Sequence, residues 1–188
     1  MAGRLSKTER QQRLLALIGE DPLLTDEMIA AKLGVSVPTI RLDRLELGVP
    51  EMRVRARELA ERAKGTVKAL GPTEVAGELI DLELGRRAIS VMETTKEMGF
   101  RRSGIVRGHH IFAQANSLAV AVIDAPAALT GSARLKFHEP VRVGEKVVAK
   151  AIVRLAREGR SLVLVTSRVG QRVVFSARFI IFAVAERV

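Results

Sequence analysis

Arg107, Gly108, His109 and His110 open a tract that carries no Asp, Glu, Lys or Arg from Gly108 to Ile123, although 28% of the chain is charged. Gln114, Asn116 and Ser117 are the other polar residues in it. Each of these types has a chemistry. Adjacent histidines can serve as a general base. An arginine beside a helix start offers a fixed planar cation that suits a carboxylate. If Gly108 opens a helix, the N–H groups of its first turn lack intrahelical partners and can hold a carbonyl or a carboxylate. Asn116, in an otherwise apolar segment, needs hydrogen-bond partners, which a ligand or the core itself can supply. Paired histidines at a helix start also act as caps or core residues. The third histidine, His138, is too distant along the chain to suggest a metal site. With no Cys, thiol catalysis and disulfides are excluded.

These residues need an element to position them. From Ala113 to Ile123 the side chains are small or apolar on nearly every side, which predicts a helix buried all round. No apolar run reaches the roughly 18 residues of a membrane span, so protein must surround it. The flanking sequence has the two-residue period of strands. Leu82 and Leu84 precede Gly85-Arg86-Arg87 and Ile89 and Val91 follow it, which reads as a hairpin. Four further strand-like runs after the helix are punctuated by Pro140, Gly144, Glu158-Gly159 and Gly170. A curved antiparallel sheet around one central helix is the hot-dog fold, whose sheet continues across a homodimer and so manages its edge strands. This assigns residues 71–188 to an effector domain of α+β class.

The first part of the chain has a helical period. Leu14, Leu15 and Ile18 mark one helix, opened by Ser6 or Lys7-Thr8 and broken at Gly19 to Pro22. Thr25 caps a second helix and Ser36 a third, with Gly34 in a tight turn between them and Pro38 in the third helix's first turn. This is a helix-turn-helix pattern over residues 1–48, with Ile29, Ala30, Leu33, Val35, Ile40 and Leu45 as its expected small core. Ser36, Thr39, Arg41, Leu42 and Arg44 are the candidates to face or flank DNA. Residues 49–70 follow as an amphipathic linker helix, with Met52, Ala56, Leu59, Ala63, Thr66 and Leu70 on a narrow seam that pairs or docks. Glu51–Arg55, Arg57–Glu61 and Glu58–Arg62 stand at i,i+4 on its outer faces. Arg53 and Arg55 lie where they can reach phosphates or an adjacent minor groove, or simply form such surface pairs.

The net charge of +10 suggests a polyanionic partner. Residues 1–70 carry 13 basic and 10 acidic side chains, and residues 71–188 carry 18 and 11. The DNA assignment therefore rests on pattern, and the larger excess lies in the second part. All six Phe fall at or after residue 100, a compositional shift that supports two unlike parts. The polar N-terminus has no signal-peptide core, and a cytoplasmic protein is expected.

Three segments carry a family resemblance: "SVPTIRLDRLELGVPE", "RGHHIFAQANSLAVAVIDA" and "GEKVVAKA". In this order they resemble the FapR family, bacterial repressors of fatty-acid and phospholipid synthesis genes that respond to malonyl-CoA. The resemblance implies no cofactor and no catalytic residue, only an effector ligand. It places Arg107 at the malonyl carboxylate, with Phe100, Gly108 and Asn116 beside it. Pro38 departs from the family pattern, which has a base-contacting Gln there. Hot-dog thioesterases place a catalytic acid on or near the central helix, and this tract has none. An active acyl-CoA thioesterase or hydratase, with His109 or His110 as base, is the alternative, and a regulator tuned to another acyl-CoA is a third reading. Lys136, Arg142, Lys146 and Arg160 are candidates for the CoA phosphates.

Overall fold

A computed structural model describes residues 6–64, 67–71 and 74–184, with the side chains of 61–64 outside the description. The chain divides into two compact units, Met1–Glu58 and Leu59–Val188, with the division inside the fourth helix.

The first unit holds α1 (Lys7–Glu20), α2 (Asp26–Leu33), α3 (Val37–Glu46) and the start of α4 (Met52–Lys64). Ser6 closes a capping box with Glu9 at the head of α1. Thr25 Oγ1 accepts the Met28 N–H and Ser36 Oγ accepts the Thr39 N–H, so both expected caps form. Gly34 ends α2 at φ +66°, in the left-handed region that favours glycine. Leu14, Leu24, Ile29, Ala30 and Ile40 make the core, with Leu33, Val35 and Leu47 packed against it. Leu45, expected inside, is 70% exposed. The inward face of α3 runs through Ile40, Asp43, Arg44 and Leu47, spaced i, i+3, i+4, i+7, and Leu45 falls off that stripe. In the linker helix Met52, Ala56 and Leu59 are half-buried. Of the residues expected in its seam and pairs, Thr66 lies outside the described residues, as do the side chains of Glu61, Arg62 and Ala63.

In the second unit, β1 (Glu78–Glu83) and β2 (Arg87–Glu93) precede α5 (Gly108–Ala121), and β3 (Ala127–Phe137), β4 (Lys146–Arg157), β5 (Arg160–Val169) and β6 (Arg172–Val184) follow it. The sheet is antiparallel throughout, in the order β1-β2-β4-β5-β6-β3. Helix α5 packs on five of the six strands, β2 to β6. Its Ile111, Ala115, Leu118 and Ala119 join Val147, Ala149, Val163, Val165, Phe175 and Phe179 in one core.

Two expectations need correction. The hairpin around Gly85-Arg86-Arg87 forms, and of its alternating residues Leu82 packs against the core and Ile89 is buried, but the core cluster takes Leu79, Ala88 and Met92 and leaves Val91 half-buried. A register shift between Leu79 and Asp81 moves the alternation by one residue, and Leu84 lies in the turn. The helix is buried on every side only in its second half. Nearer its start His109 and Ala113 are exposed and Phe112, Asn116 and Ser117 half-exposed, so one chain leaves that side open. The edge strand β3 is open as well, exposed from Gly131 onward.

Candidate functional site

The start of α5 assembles the first group of residues. Gly99 and Val106 pair across a short loop that carries Phe100, 56% exposed. A 3₁₀ turn, Lys96–Met98, lies just before this loop. Arg107 is the N-cap residue of α5, and no side chain caps the helix there. Its guanidinium is held by carbonyls: Nη2 donates to Glu97 O at 2.6 Å and Nε to Met98 O at 3.3 Å. Among the described residues Arg107 makes no ion pair, and Nη1 has no hydrogen-bond partner. The cation is thus oriented by neutral acceptors and keeps its charge unpaired. Gly108 follows because a Cβ there would lie 2.9 Å from Cζ of Phe137. The glycine lets Phe137 of β3 close against the helix start.

His110 stands beside this cation, its Nε2 3.5 Å from Arg107 Nη2, and its ring lies 4.1 Å from that of His109. Burial first, then His109 and Arg107, push its pKa below the ordinary 6.5. A cleft of about 480 Å³ opens here, lined by His110 and Ala113 of α5 and by Gly77, Val91, Met98 and Lys146. Asn116 is eight residues along α5 from Gly108, about 12 Å up the axis. Its Oδ1 accepts from Thr130 Oγ1 on β3 at 2.7 Å, which orients the amide and leaves its two N–H donors for another group. Phe100, Arg107 and Gly108 therefore share one end of the helix, and Asn116 stands apart from them within one chain. The neighbouring Gln114 is a core amide, fully buried and donating to Ser90 and to Val147 O.

Sequence spacing gave no signal for the Glu97 and Met98 carbonyls or for Thr130, which reach the site through loop and sheet contacts. Of the basic residues proposed for CoA phosphates, Lys146 lines the cleft, paired with Glu93 at 2.8 Å, and exposed Arg142 bridges to Ile105 in the Phe100 loop. Arg160 instead lies over the Phe182 ring, 5.3 Å from its centroid, and Lys136 is on the outer face of the sheet. Among the described residues no group of three or more His, Asp or Glu could hold a metal ion.

The first unit offers a different surface. Pro38, Arg41, Leu42 and Leu45 form the exposed stripe of α3, opposite its buried one. Leu42 is 62% exposed, and the side chain of Arg41 is 60% exposed with only long contacts to Asp26 and Glu27. Leu45 belongs to this surface, a position that reading it as core had hidden. Ser36 is exposed and Thr39 half-exposed at the head of the helix, their hydroxyls 2.8 Å apart. Arg44 does not belong here. It is 4% exposed, paired with Asp26 and bonded to Val49 O, because position 44 is on the inward stripe. Arg55 is also withdrawn from solvent, at 7%, and donates to the carbonyls of Pro22, Leu24 and Pro50. Arg53, two residues earlier, is exposed. The two buried arginines fasten the start of α4 to the helical unit, since they satisfy the carbonyls of Val49 and Pro50 just before it and the buried carbonyls of Pro22 and Leu24.

Fold and site together define a class: a small helical unit whose third helix exposes a stripe of Pro38, Arg41, Leu42 and Leu45, joined to a hot-dog-like domain whose central helix starts at an unpaired arginine. Solved structures support the second half. An uncharacterized protein of Pyrococcus horikoshii superposes with a TM-score of 0.57 at 28% identity, over 66% of this chain and 91% of that one. The PaaI protein of the E. coli phenylacetic acid degradation operon gives 0.56 at 17% identity, over 70% of this chain and 94% of its own. A Streptococcus mutans protein solved bound to acetyl-CoA gives 0.53 at 18%, over 58% of this chain and 90% of its own. No protein-family model matches the chain. Curated relatives resolve the matter. The protein named transcription factor FapR of Bacillus subtilis is 53% identical over 179 residues, 94% of this chain and 95% of the relative. That of Caldanaerobacter subterraneus subsp. tengcongensis is 50% identical over 186 residues, 99% and 93%. The chain belongs to the FapR family of transcription factors.

Proposed function

We propose that this protein is a transcriptional repressor of fatty-acid and phospholipid synthesis genes, released from its operator when malonyl-CoA binds a non-catalytic hot-dog domain. The observation that carries the reading is Arg107. A guanidinium at a helix start, oriented by two carbonyls and lacking a carboxylate of its own, is a receptor for an incoming carboxylate. The thioester follows into the cleft beside His110, and an extended arm of the ligand reaches toward Asn116. Helix α5 supplies no acid for hydrolysis. A neutral His110 next to a cation fits ligand recognition better than proton abstraction, because Arg107 opposes the imidazolium that a base must become.

The helix pair α2–α3 is the DNA-binding helix-turn-helix, with Ser36, Thr39, Arg41, Leu42 and Leu45 toward the bases and phosphates and Arg53 toward flanking phosphates. The leucines suit thymine methyl groups. The open β3 edge and the open side of α5 support a homodimer, which presents two such helices to half-sites about one helical turn apart. Ligand occupancy favours an arrangement in which both cannot engage, a coupling of two sites through one two-state element. A cytoplasmic location follows from this role.

One experiment tests the reading. The purified protein is titrated with malonyl-CoA on a duplex selected by the protein from a random pool, and free CoA is monitored in the same sample. Release of DNA without release of CoA supports it. Protein-dependent CoA production, lost on changing His109 or His110, would replace it with the thioesterase.

A further inference from the structure

The larger positive excess lies in the second part of the chain, and the cleft accounts for little of it. Strands β3, β4, β5 and β6 contain ten Lys and Arg and no Asp or Glu, so their surface is of one sign. Register fixes which face carries the charge. Phe179 and Ala177 face the core, with Ala133 and Leu135 opposite them on β3. The alternating residues Arg178 and Arg134 therefore meet on the outer face, directly across from each other. Lys136 is two residues from Arg134 on the same face, and Arg168 lies on the outer face of β5. All four are exposed. Among the described residues none of them makes an ion pair or a side-chain hydrogen bond. Like charges directly opposite in an antiparallel pair are destabilising, so Arg134 and Arg178 are an arrangement that folding alone disfavours.

We infer that this outer face of the hot-dog sheet is a second DNA-contacting surface, which takes the phosphate backbone flanking the operator without reading sequence. The inference rests on the proposal that the protein binds DNA. Three features support it. The patch is on the opposite side of the sheet from α5, so it is separate from the acyl-ligand cleft. The backbone positions of Arg134, Arg178 and Lys136 stand about 5–7 Å apart across and along the strands, with Arg168 farther off on the same face, a density suited to a polyanion. Duplex DNA supplies that match, with one negative charge per about 1.7 Å of axis. Finally, one chain carries both units, so DNA held by α3 is at high effective concentration for a weak second contact. Because β3 is an edge strand, the patch also runs to the margin of the sheet. In a β3-paired dimer the patches of the two copies join there.

The test uses the full-length protein, the selected sequence in duplexes of about 20 and about 60 base pairs, and the triple variant R134S/K136S/R178S. On the long duplex the variant loses roughly tenfold in affinity near 0.1 M salt, and its salt slope falls by about 0.9 per phosphate contact removed. On the short duplex it binds as the unchanged protein does. The variant R134K/R178K keeps long-duplex affinity, since a phosphate contact needs the charge rather than the guanidinium. Malonyl-CoA isotherms are unchanged, and the triple variant melts no lower, because it relieves repulsion. Equal affinity of both proteins for the long duplex overturns the inference while leaving the repressor reading intact. An equal loss on both lengths also overturns it, by placing the effect at α3 or in the fold. Loss of binding to phosphatidylglycerol vesicles with DNA affinity unchanged assigns the patch to a membrane and overturns it too. Failure of the unchanged protein to select any duplex overturns the repressor reading together with the inference.

Discussion

Arg44 lies along the carboxylate of Asp26, with Nε 3.0 Å from Oδ1 and Nη2 3.3 Å from Oδ2, while its Nη1 donates to Val49 O at 2.8 Å. The pair ties the first turn of α2 to the last turn of α3 and to the chain leaving it. Breaking a buried pair from one side strands the other charge, at a cost of about 3–5 kcal/mol. Arg44→Ala should therefore lower the melting temperature of the helical unit and lose DNA binding as a consequence of unfolding. Arg41→Ala should do the reverse. Its side chain is 60% exposed and its ion pairs are long, so stability should change by no more than about 0.5 kcal/mol. Operator affinity should nevertheless fall sharply. Thermal denaturation and gel shifts on the two variants separate the roles; a stable Arg44→Ala that binds poorly would return Arg44 to the DNA surface.

Arg53 and Arg55 divide in the same way. Arg55 Nη2 donates to Leu24 O at 2.7 Å and Nε to Pro22 O at 3.2 Å, so its loss leaves buried carbonyls unsatisfied. Arg55→Ala should destabilise the first unit by about 1–3 kcal/mol. Arg53→Ala should keep the stability and reduce the salt slope of operator binding by roughly one. A chemical denaturation curve and an affinity series in salt read the two effects independently. An unchanged slope for Arg53→Ala would remove it from the interface.

The contrast shows what the sequence carried. Caps and turns are local, so Thr25, Gly34 and Ser36 were readable from residue type and spacing. The uncharged tract of α5 was equally plain, because sixteen residues without charge in a basic chain need an interior. Arg44 was misread through its type, arginine being a surface residue by habit. Its spacing with Ile40, Asp43 and Leu47 nonetheless marked the inward stripe. The bulge after Leu79 had no such marker, since register depends on the partner strand and not on the strand itself. The support of Arg107 by Glu97 and Met98 was hidden for a related reason. It uses backbone carbonyls, which every residue has, so no side-chain type announces it.

The neighbourhood of His110 predicts a pH dependence. Burial, His109 and Arg107 hold its pKa below 6.5 in the folded state. The unfolded chain thus binds the proton more readily, and this group's contribution to stability is complete above about pH 6.5 and is lost as pH falls through the lower, folded value. A bound malonyl carboxylate beside Arg107 adds negative charge near the imidazole and raises that pKa. Malonyl-CoA binding should then take up protons just below pH 6.5, and its affinity should rise as pH falls through this window. Calorimetry in two buffers of different ionisation enthalpy measures the uptake. His110→Gln should abolish it, and proton release in the unchanged protein would place the carboxylate elsewhere.

The final prediction concerns the switch. Arg107→Ala removes the cation at the start of α5, and among the described residues no other side chain donates to the same carbonyls of Glu97 and Met98. A malonyl carboxylate in the mutant's cleft is left without its partner, at a cost of about 2–5 kcal/mol in ligand affinity. Acetyl-CoA has no such carboxylate, so its weaker binding should hardly move, and discrimination between the two should collapse. The exposed stripe of α3 is in a separate unit and keeps its residues, so the mutant should still occupy the operator. It should stay there when malonyl-CoA is added, because the ligand no longer favours the released state. Cells carrying it should hold the regulated genes shut. Calorimetry with both ligands and operator release titrated with malonyl-CoA decide the matter. Release at the unmutated protein's ligand concentration would show that another cation anchors the carboxylate, and Arg101 and Arg102, exposed on the Phe100 loop, are the next to be changed.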